Sequence, residues 1–329
     1  MIQQQGQGIY DSQQLRRIVA QPKPVTKRKQ SFIPTDVFRR TLHGYDQNMF
    51  VQNLLSGVPY PFERDNLEKI ISQYYLGTIT KGYRAGGTTF PFIDKLGNVR
   101  TVQVKQFDTH NHTVGTDFLH SILERHYEKK WVSAPDWLRD YLDNEKKVTC
   151  LFGEHLLSRY PHNPIALVEA PKTAVYGTLY FGFPDDHTKL LWLAVYNLSS
   201  LNYDKCKALA GRDVYLFPDL SKDGRAYELW SEKANQLKEQ LPGTRFEVSD
   251  LLERNATEAE RTNGLDLADY LIRLDWRSFK KEGCFSTTQT TLLHQTDLPS
   301  GHTLKTLTLP WGKVTNQINE HGYPAFWDN

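Results

Sequence analysis

The sequence predicts an α+β N-terminal lobe followed by an α/β domain whose parallel sheet is flanked by helices. Three observations carry this reading. The apolar runs at 165–168 and 214–217 are short enough to be buried strands; each leads directly to a carboxylate, Glu169 or Asp219, and then to a helical pattern. The alternation extends over 165–241, as strand 165–168, helix 173–180, strand 190–195, helix 202–209, strand 214–217 and helix 225–241. Connections of this length are crossovers, which make neighbouring strands parallel. Upstream of residue 150 the pattern differs, with helical spacing first and then alternation punctuated by Gly86-Gly87 and Leu96-Gly97-Asn98.

Residues 1–31 are Gln-rich, contain Lys27-Arg28-Lys29 and lack apolar periodicity, so they read as a flexible basic linker. The cluster suits either phosphate-backbone contact or a solvated tail. Between 34 and 76, Val37, Phe38, Leu42, Phe50, Val51, Leu54, Leu67, Ile70 and Tyr74 recur at helical spacing, which predicts two or three helices, with Asp65 capping the last. Residues 78–107 predict an antiparallel hairpin or meander. The next stretch holds Asp108, His110, His112, His120 and His126. An H-x-H pair beside an Asp suits a transition metal, and also suits a solvated loop. The run Glu124-Arg125-His126-Tyr127-Glu128-Lys129-Lys130-Trp131 fits a strand-binding surface or a solvated helix face with one anchoring Trp. In helix 225–241, Ala226, Leu229, Trp230, Ala234, Leu237 and Leu241 form one inward stripe.

At 329 residues the chain is long enough for two lobes plus tails, and for an enzyme. Its net charge of +2 means that nucleic-acid affinity must come from local Lys and Arg clusters. No stretch approaches the roughly 18 apolar residues of a membrane helix, and the polar start is unlike a signal peptide, so a cytoplasmic protein without membrane contact is expected. Cys150, Cys206 and Cys284 are scattered singly, which argues against a disulfide framework and a zinc ribbon.

In parallel sheets the carboxyl ends of the strands share one edge where ligands collect, so Glu169 and Asp219 are expected to face one crevice. Two carboxylates there predict a site for a hard cation, Mg2+ or Mn2+. In the loop after strand 190–195, Asn197 is the residue best suited to a positive φ if the turn requires one.

These residues also resemble a known family. Glu169 at a strand end, followed later by an acid, Gly224 and a helix, resembles the Toprim domain of bacterial primases, topoisomerases and related nucleases. Residues 88–99, with Phe90-Pro91-Phe92-Ile93-Asp94 and Gly97-Asn98-Val99, resemble a primase FPI-D-x-x-G-x-V stretch; Lys147 to Gly153 resembles K-x-x-x-LYG; and Asp266, Asp269 and Leu271 resemble a late D-x-x-D-x-L. The likeness covers roughly 32–276 and is greatest to primase-like Toprim proteins of mobile elements and phages. It implies a primase-core-like lobe over 32–150, a Toprim-like domain over 151–276 and a C-terminal extension over 277–329.

The resemblance further implies Mg2+- or Mn2+-dependent nucleotidyl transfer in replication of DNA or a mobile element. Glu169 and Lys147 would be catalytic, and Glu169, Asp219, Asp223, Asp266 and Asp269 would hold the metal. Lys105, Lys147, Lys172 and Lys222 would hold nucleic acid or nucleotide, with Lys105 in place of the arginine that ends a G-F-G-G-R run in primases. Single-stranded DNA, nucleoside triphosphates and a helicase are the implied partners. The chain departs from the family at Ser221, where Toprim enzymes present a second acid, and Asp223 is the candidate replacement. A non-catalytic single-strand-binding protein on the same fold and a Toprim nuclease are therefore open alternatives.

Overall fold

The apolar positions between 34 and 76 fold as α1 (Thr35–Arg39), α2 (Met49–Gln52), which runs into a π-helical turn at Asn53–Gly57, and α3 (Arg64–Tyr74). In the computed structural model of the protein, residues 30–144 and 148–279 are described. Residues 1–29 of the expected 1–31 linker, Lys147 and most of the C-terminal extension lie outside them. Asp65 does not cap α3: the helix begins at Arg64 after an extended Glu63, and Asp65 sits inside the first turn, where its charge favours the helix N-terminus.

Strands β1 (Gly77–Thr78), β2 (Thr88–Ile93), β3 (Val99–Phe107) and β4 (Thr113–Phe118) form an antiparallel sheet in that order. The expected meander is therefore present, with one strand more than the sequence signalled. Paired residues share a face, so the register assigns the two sides. Phe90 opposite Gln103 and Thr88 opposite Lys105 face one way; Pro91 opposite Val102 and Thr89 opposite Val104 face the other. On the Val102 side, α4 (Leu119–Lys129) and α5 (Asp136–Asp143) pack with α1 over a small core of Ile33, Phe38, Val102, Val104, Leu119 and Tyr141. Trp131, just past α4, is no anchor: it is 96% exposed.

The opposite face, carrying Phe90, Phe92 and Phe107, belongs to a larger core that continues into the second sheet. Because a core lies on each side, β2 is buried at every position.

The second sheet is built from β5 (Ile165–Val168), α6 (Pro171–Phe181), β6 (Leu191–Ala194), α7 (Tyr203–Cys206), β7 (Asp213–Phe217), α8 (Arg225–Gln240) and β8 (Arg245–Val248). All four strands are parallel in the order β6-β5-β7-β8. Three short helices follow: α9 (Leu251–Asn255), α10 (Glu258–Asn263) and α11 (Leu267–Leu271). An α+β portion followed by an α/β portion is thus what the sequence folds into. The helix expected over 202–209 is broken into α7 and a 3-10 turn at Lys207–Leu209. Strand β8 was not legible, because its exposed Arg245 and Glu247 interrupt any apolar run, as suits an edge strand.

Gly177 sets the spacing of α6 over the sheet, since a Cβ there would fall inside the Trp192 indole. From β5 the chain moves to β6 on one side and then returns past β5 to β7 on the other. The strand order reverses between β5 and β7, the place where open α/β sheets form a crevice at their carboxyl ends.

Candidate functional site

Val168 pairs with Phe217, so the residues that follow, Glu169 and Asp219, leave neighbouring strands at the reversal point. The carbonyl of Glu169 accepts the Tyr196 N–H at 3.0 Å, and its carboxylate accepts the Leu198 N–H. Burial raises the Glu169 pKa, against the opposing pull of that N–H and of the Lys105 charge. Asp219 is more extreme. Its Oδ1 is buried with no hydrogen-bond partner among the described residues. Burial first, then the charges of Asp266 and Glu169, push its pKa well above the ordinary carboxylate range. An orphaned buried carboxylate oxygen beside a second acid is a donor set that fits a hard cation.

Asp266 and Asp269 serve a different purpose from the metal-ligand role expected of them. They form a capping box at the start of α11, in which the Asp266 carboxylate accepts the Asp269 N–H at 2.9 Å and the Asp269 carboxylate accepts the Asp266 N–H at 3.0 Å. Their remaining oxygens accept the Thr173 hydroxyl at 3.0 Å and the Lys172 ammonium at 3.1 and 3.0 Å. All four carboxylate oxygens are therefore engaged.

Lys172 in turn is 8% exposed and committed within the protein, not presented to a nucleic acid or nucleotide. The two acids outweigh burial and raise its pKa. Burial works against ionisation of Asp266 too, but Lys172 and three hydrogen bonds hold its pKa below the ordinary value. Asp269 is shifted upward, by burial and by Asp266.

Ser221 does not supply a carboxylate, and Asp223 does not take its place. The Ser221 hydroxyl oxygen accepts the Ala226 N–H at 2.9 Å, so from the loop before the Gly224 N-cap it satisfies a first-turn donor of α8. Asp223 is exposed, accepts the Arg225 N–H at 3.3 Å, and is absent from the charges that shift Glu169 and Asp219. Lys222 beside it is also exposed. Among the described residues, no group of three or more His, Cys, Asp and Glu side chains is gathered closely enough to hold a metal ion. The expected five-acid set thus resolves into the pair Glu169 and Asp219, a separate Lys172-bound pair, and an outlying Asp223. The His110 and His112 rings are stacked and exposed, and the Asp108 carboxylate between them accepts both backbone N–H groups, which lowers its pKa.

Lys105 is brought to the site as expected from its place on β3. It makes no hydrogen bond or ion pair among the described residues, yet it senses Lys172, Asp266, Asp219 and Glu169. Burial and the like charge of Lys172 lower its pKa.

The sequence did not reveal how the loop after β6 is held. The positive φ falls on Tyr196 (110°), while the expected Asn197 is extended at −158°. The buried Lys205 ammonium donates to the Val195 carbonyl, lies 5.7 Å from the centre of the Tyr196 ring, and is lowered by burial to about 8. A lone lysine in a four-residue helix gives no sequence signal for that task. Thr173 was likewise missed, although its place one helical turn beyond Glu169 could have drawn attention to it.

The domain family described as a domain of unknown function, DUF6371, matches residues 48–220, more than half of the 329. The chain belongs to this family. The matched span includes Lys105, Glu169 and Asp219 but stops before Asp266. No curated protein matches the chain. Among solved structures, the chain is similar to the primase fragment of the bacteriophage T7 primase-helicase protein, at 14% identity and a TM-score of 0.30, over 54% of this chain and 60% of the fragment. It is also similar to the DnaG catalytic core, at 16% identity and a TM-score of 0.36, over 67% of this chain and 77% of that one. A DnaG primase catalytic domain bound to ssDNA is similar at 16% identity and a TM-score of 0.35, over 72% and 85%. Among the described residues, no helix is long and apolar enough to cross a membrane.

Proposed function

We propose that the protein is a primase-like Toprim protein acting on nucleic acid, with a divalent cation, Mg2+ or Mn2+, held by Glu169 and Asp219. The observation that carries this reading is the pairing of those acids at the strand-order reversal, with the Asp219 oxygen left without a partner. The four motif segments support it by meeting in space. Phe92 packs on Phe152 at 5.9 Å between ring centres, Phe152 bridges to Ala194 of β6, Glu169 directly follows the adjacent β5, and Asp266 reaches Thr173.

When bound, the cation supplies charge neutralisation for phosphate. The chain's own residues do the rest. The Leu198 N–H orients the Glu169 carboxylate. Lys105, without a fixed partner among the described residues, would draw a phosphate group to the same crevice. Lys172 offsets part of the charge of Asp266 and Asp269 and keeps both carboxylates in contacts within the protein. A cation held there would pull down the Asp219 pKa that burial and the neighbouring acids raise. In this reading, residues 151–276 form the Toprim-like domain and Lys147 is a further candidate for holding a triphosphate.

A second reading, a non-catalytic single-strand-binding protein, is favoured by one observation: the position of the second Toprim acid is a serine whose hydroxyl is engaged by the Ala226 N–H of α8. The two are separated by titrating Mn2+ calorimetrically into the parent, Glu169→Gln and Asp219→Asn, beside template-extension and DNA-cleavage assays. Heats lost in both variants together with loss of extension support nucleotidyl transfer, and loss of cleavage would reassign the site to a nuclease. Equal heats in all three proteins would remove the cation site, and DNA binding without either activity would select the second reading.

A further inference from the structure

On the face of the antiparallel sheet turned away from Glu169, a groove of about 950 Å³ opens between α1, β1, α4 and α5. Its floor is apolar, from Ile79, Leu119 and Ile122, whereas its walls are basic and aromatic. Lys81 and Lys129 line it and make no ion pair among the described residues. The acid in the lining, Asp36, is neutralised by Arg40 at 3.1 Å. Tyr83, 58% exposed, stands at the groove with the guanidinium carbons of Arg84 and Arg125 at 4.7 and 5.2 Å from its ring centre. Two residues beyond Lys129, after Lys130, comes Trp131.

Trp131 combines two unfavourable features. It is 96% exposed, and its φ of 55° is in the left-handed region that a bulky side chain rarely adopts. The turn is closed by the Trp131 N–H donating to the Glu128 carbonyl at 3.0 Å and the Val132 N–H donating to the Tyr127 carbonyl at 3.2 Å. An indole held out in water on a closed turn, preceded by two unpaired lysines, gains nothing from the fold that presents it.

We infer that this groove and the Trp131 turn form a second nucleic-acid surface, for single-stranded nucleic acid, on the opposite side of β3 from the carboxylate crevice. The occupant is identified by the combination of charge and exposed π-faces. Phosphates meet Lys81, Lys129 and Lys130, while unstacked bases lie on Trp131 and Tyr83 without regard to sequence, since every base offers a π-face. An acidic peptide would use the cations and leave the indole unsatisfied. The inference stands whether or not Glu169 and Asp219 act in catalysis, because the two surfaces belong to opposite faces of one sheet.

The test is fluorescence anisotropy of a labelled oligothymidylate with the full-length protein over a range of salt, repeated for Trp131→Ala, for Lys129→Ala with Lys130→Ala, and for Lys105→Ala. Trp131→Ala is expected to weaken binding about tenfold, the loss of one stacked base. The double lysine variant is expected to flatten the slope of log affinity against log salt by about 1.4, at about 0.7 per phosphate contact for a single strand. Circular dichroism confirms that the exposed substitutions leave the fold intact. Parent-like binding by the Trp131 and double-lysine variants, with loss only in Lys105→Ala, would overturn the second surface and leave the crevice reading untouched. Poly-glutamate competing as well as oligothymidylate would also overturn it, by showing charge without stacking.

Discussion

Asp219 holds an oxygen that nothing in the described protein satisfies, and this fixes how the residue responds to pH. Its folded-state pKa lies above the ordinary value, from burial first and then from Asp266 and Glu169. The folded protein therefore binds the proton more tightly than the unfolded chain, and stability is lost as pH rises from the ordinary carboxylate range through the raised value. Asp219→Asn removes that loss. In the metal-free protein at pH 7 it is expected to raise the melting temperature, by about 2–4 °C for each kcal/mol relieved, and to flatten the pH dependence of Tm in the same window. Lys172 is the converse case. Lys172→Met leaves two engaged carboxylates buried without their cation, so it is expected to cost about 3–5 kcal/mol in urea unfolding at neutral pH.

At the scale of elements, Ser221 supports the first turn of α8 behind its Gly224 N-cap. Ser221→Ala removes the acceptor of the Ala226 N–H and is expected to lower stability by about 1 kcal/mol. Ser221→Asp preserves the cap, because aspartate accepts the same N–H and its charge suits the helix N-terminus. If the crevice binds a cation, this variant also adds a third carboxylate near it, and Mn2+ titration is expected to show tighter binding than in the parent.

Elements whose signals were dense in sequence were legible: 165–168 was bounded correctly as β5, and α8 was read to within one residue of its end. The pairing of Glu169 with Asp219 followed from parallel order alone. What could not be read were relationships set by tertiary partners. Asp266 and Asp269 looked like ligands because a D-x-x-D spacing suits a metal and a capping box equally, and only the arrival of Lys172 and Thr173 distinguishes the two. The positive φ at Tyr196 was unreadable because local preference favours Asn, whereas the bond from Tyr196 N–H to Glu169 and the contact with Lys205 fix the loop.

At the scale of the whole molecule, one apolar cluster joins Phe50, Phe90, Phe92 and Phe107 of the first sheet's side to Leu167, Trp192 and Leu216 of the second. The Tyr74 hydroxyl adds a bridge by donating to the Trp192 carbonyl at 2.8 Å. With no solvated boundary between the two sheets, urea unfolding is expected to be a single transition. Near-ultraviolet and far-ultraviolet circular dichroism should share a midpoint, and two separated midpoints would show that the halves fold independently.

The union of Lys172 with Asp266 and Asp269 bears on how the chain can be cut. A fragment trimmed to 48–220 would retain Glu169 and Asp219, yet would discard β8, α11 and both counter-charges of a lysine sealed under the sheet edge. Truncation at that boundary is expected to lower solubility and helical circular dichroism, whereas an end point beyond Trp276, whose indole N–H donates to the Pro61 carbonyl at 3.1 Å, retains both acids that Lys172 engages. On these contacts the segment that folds as a unit extends past the residues 48–220 that the family model matches.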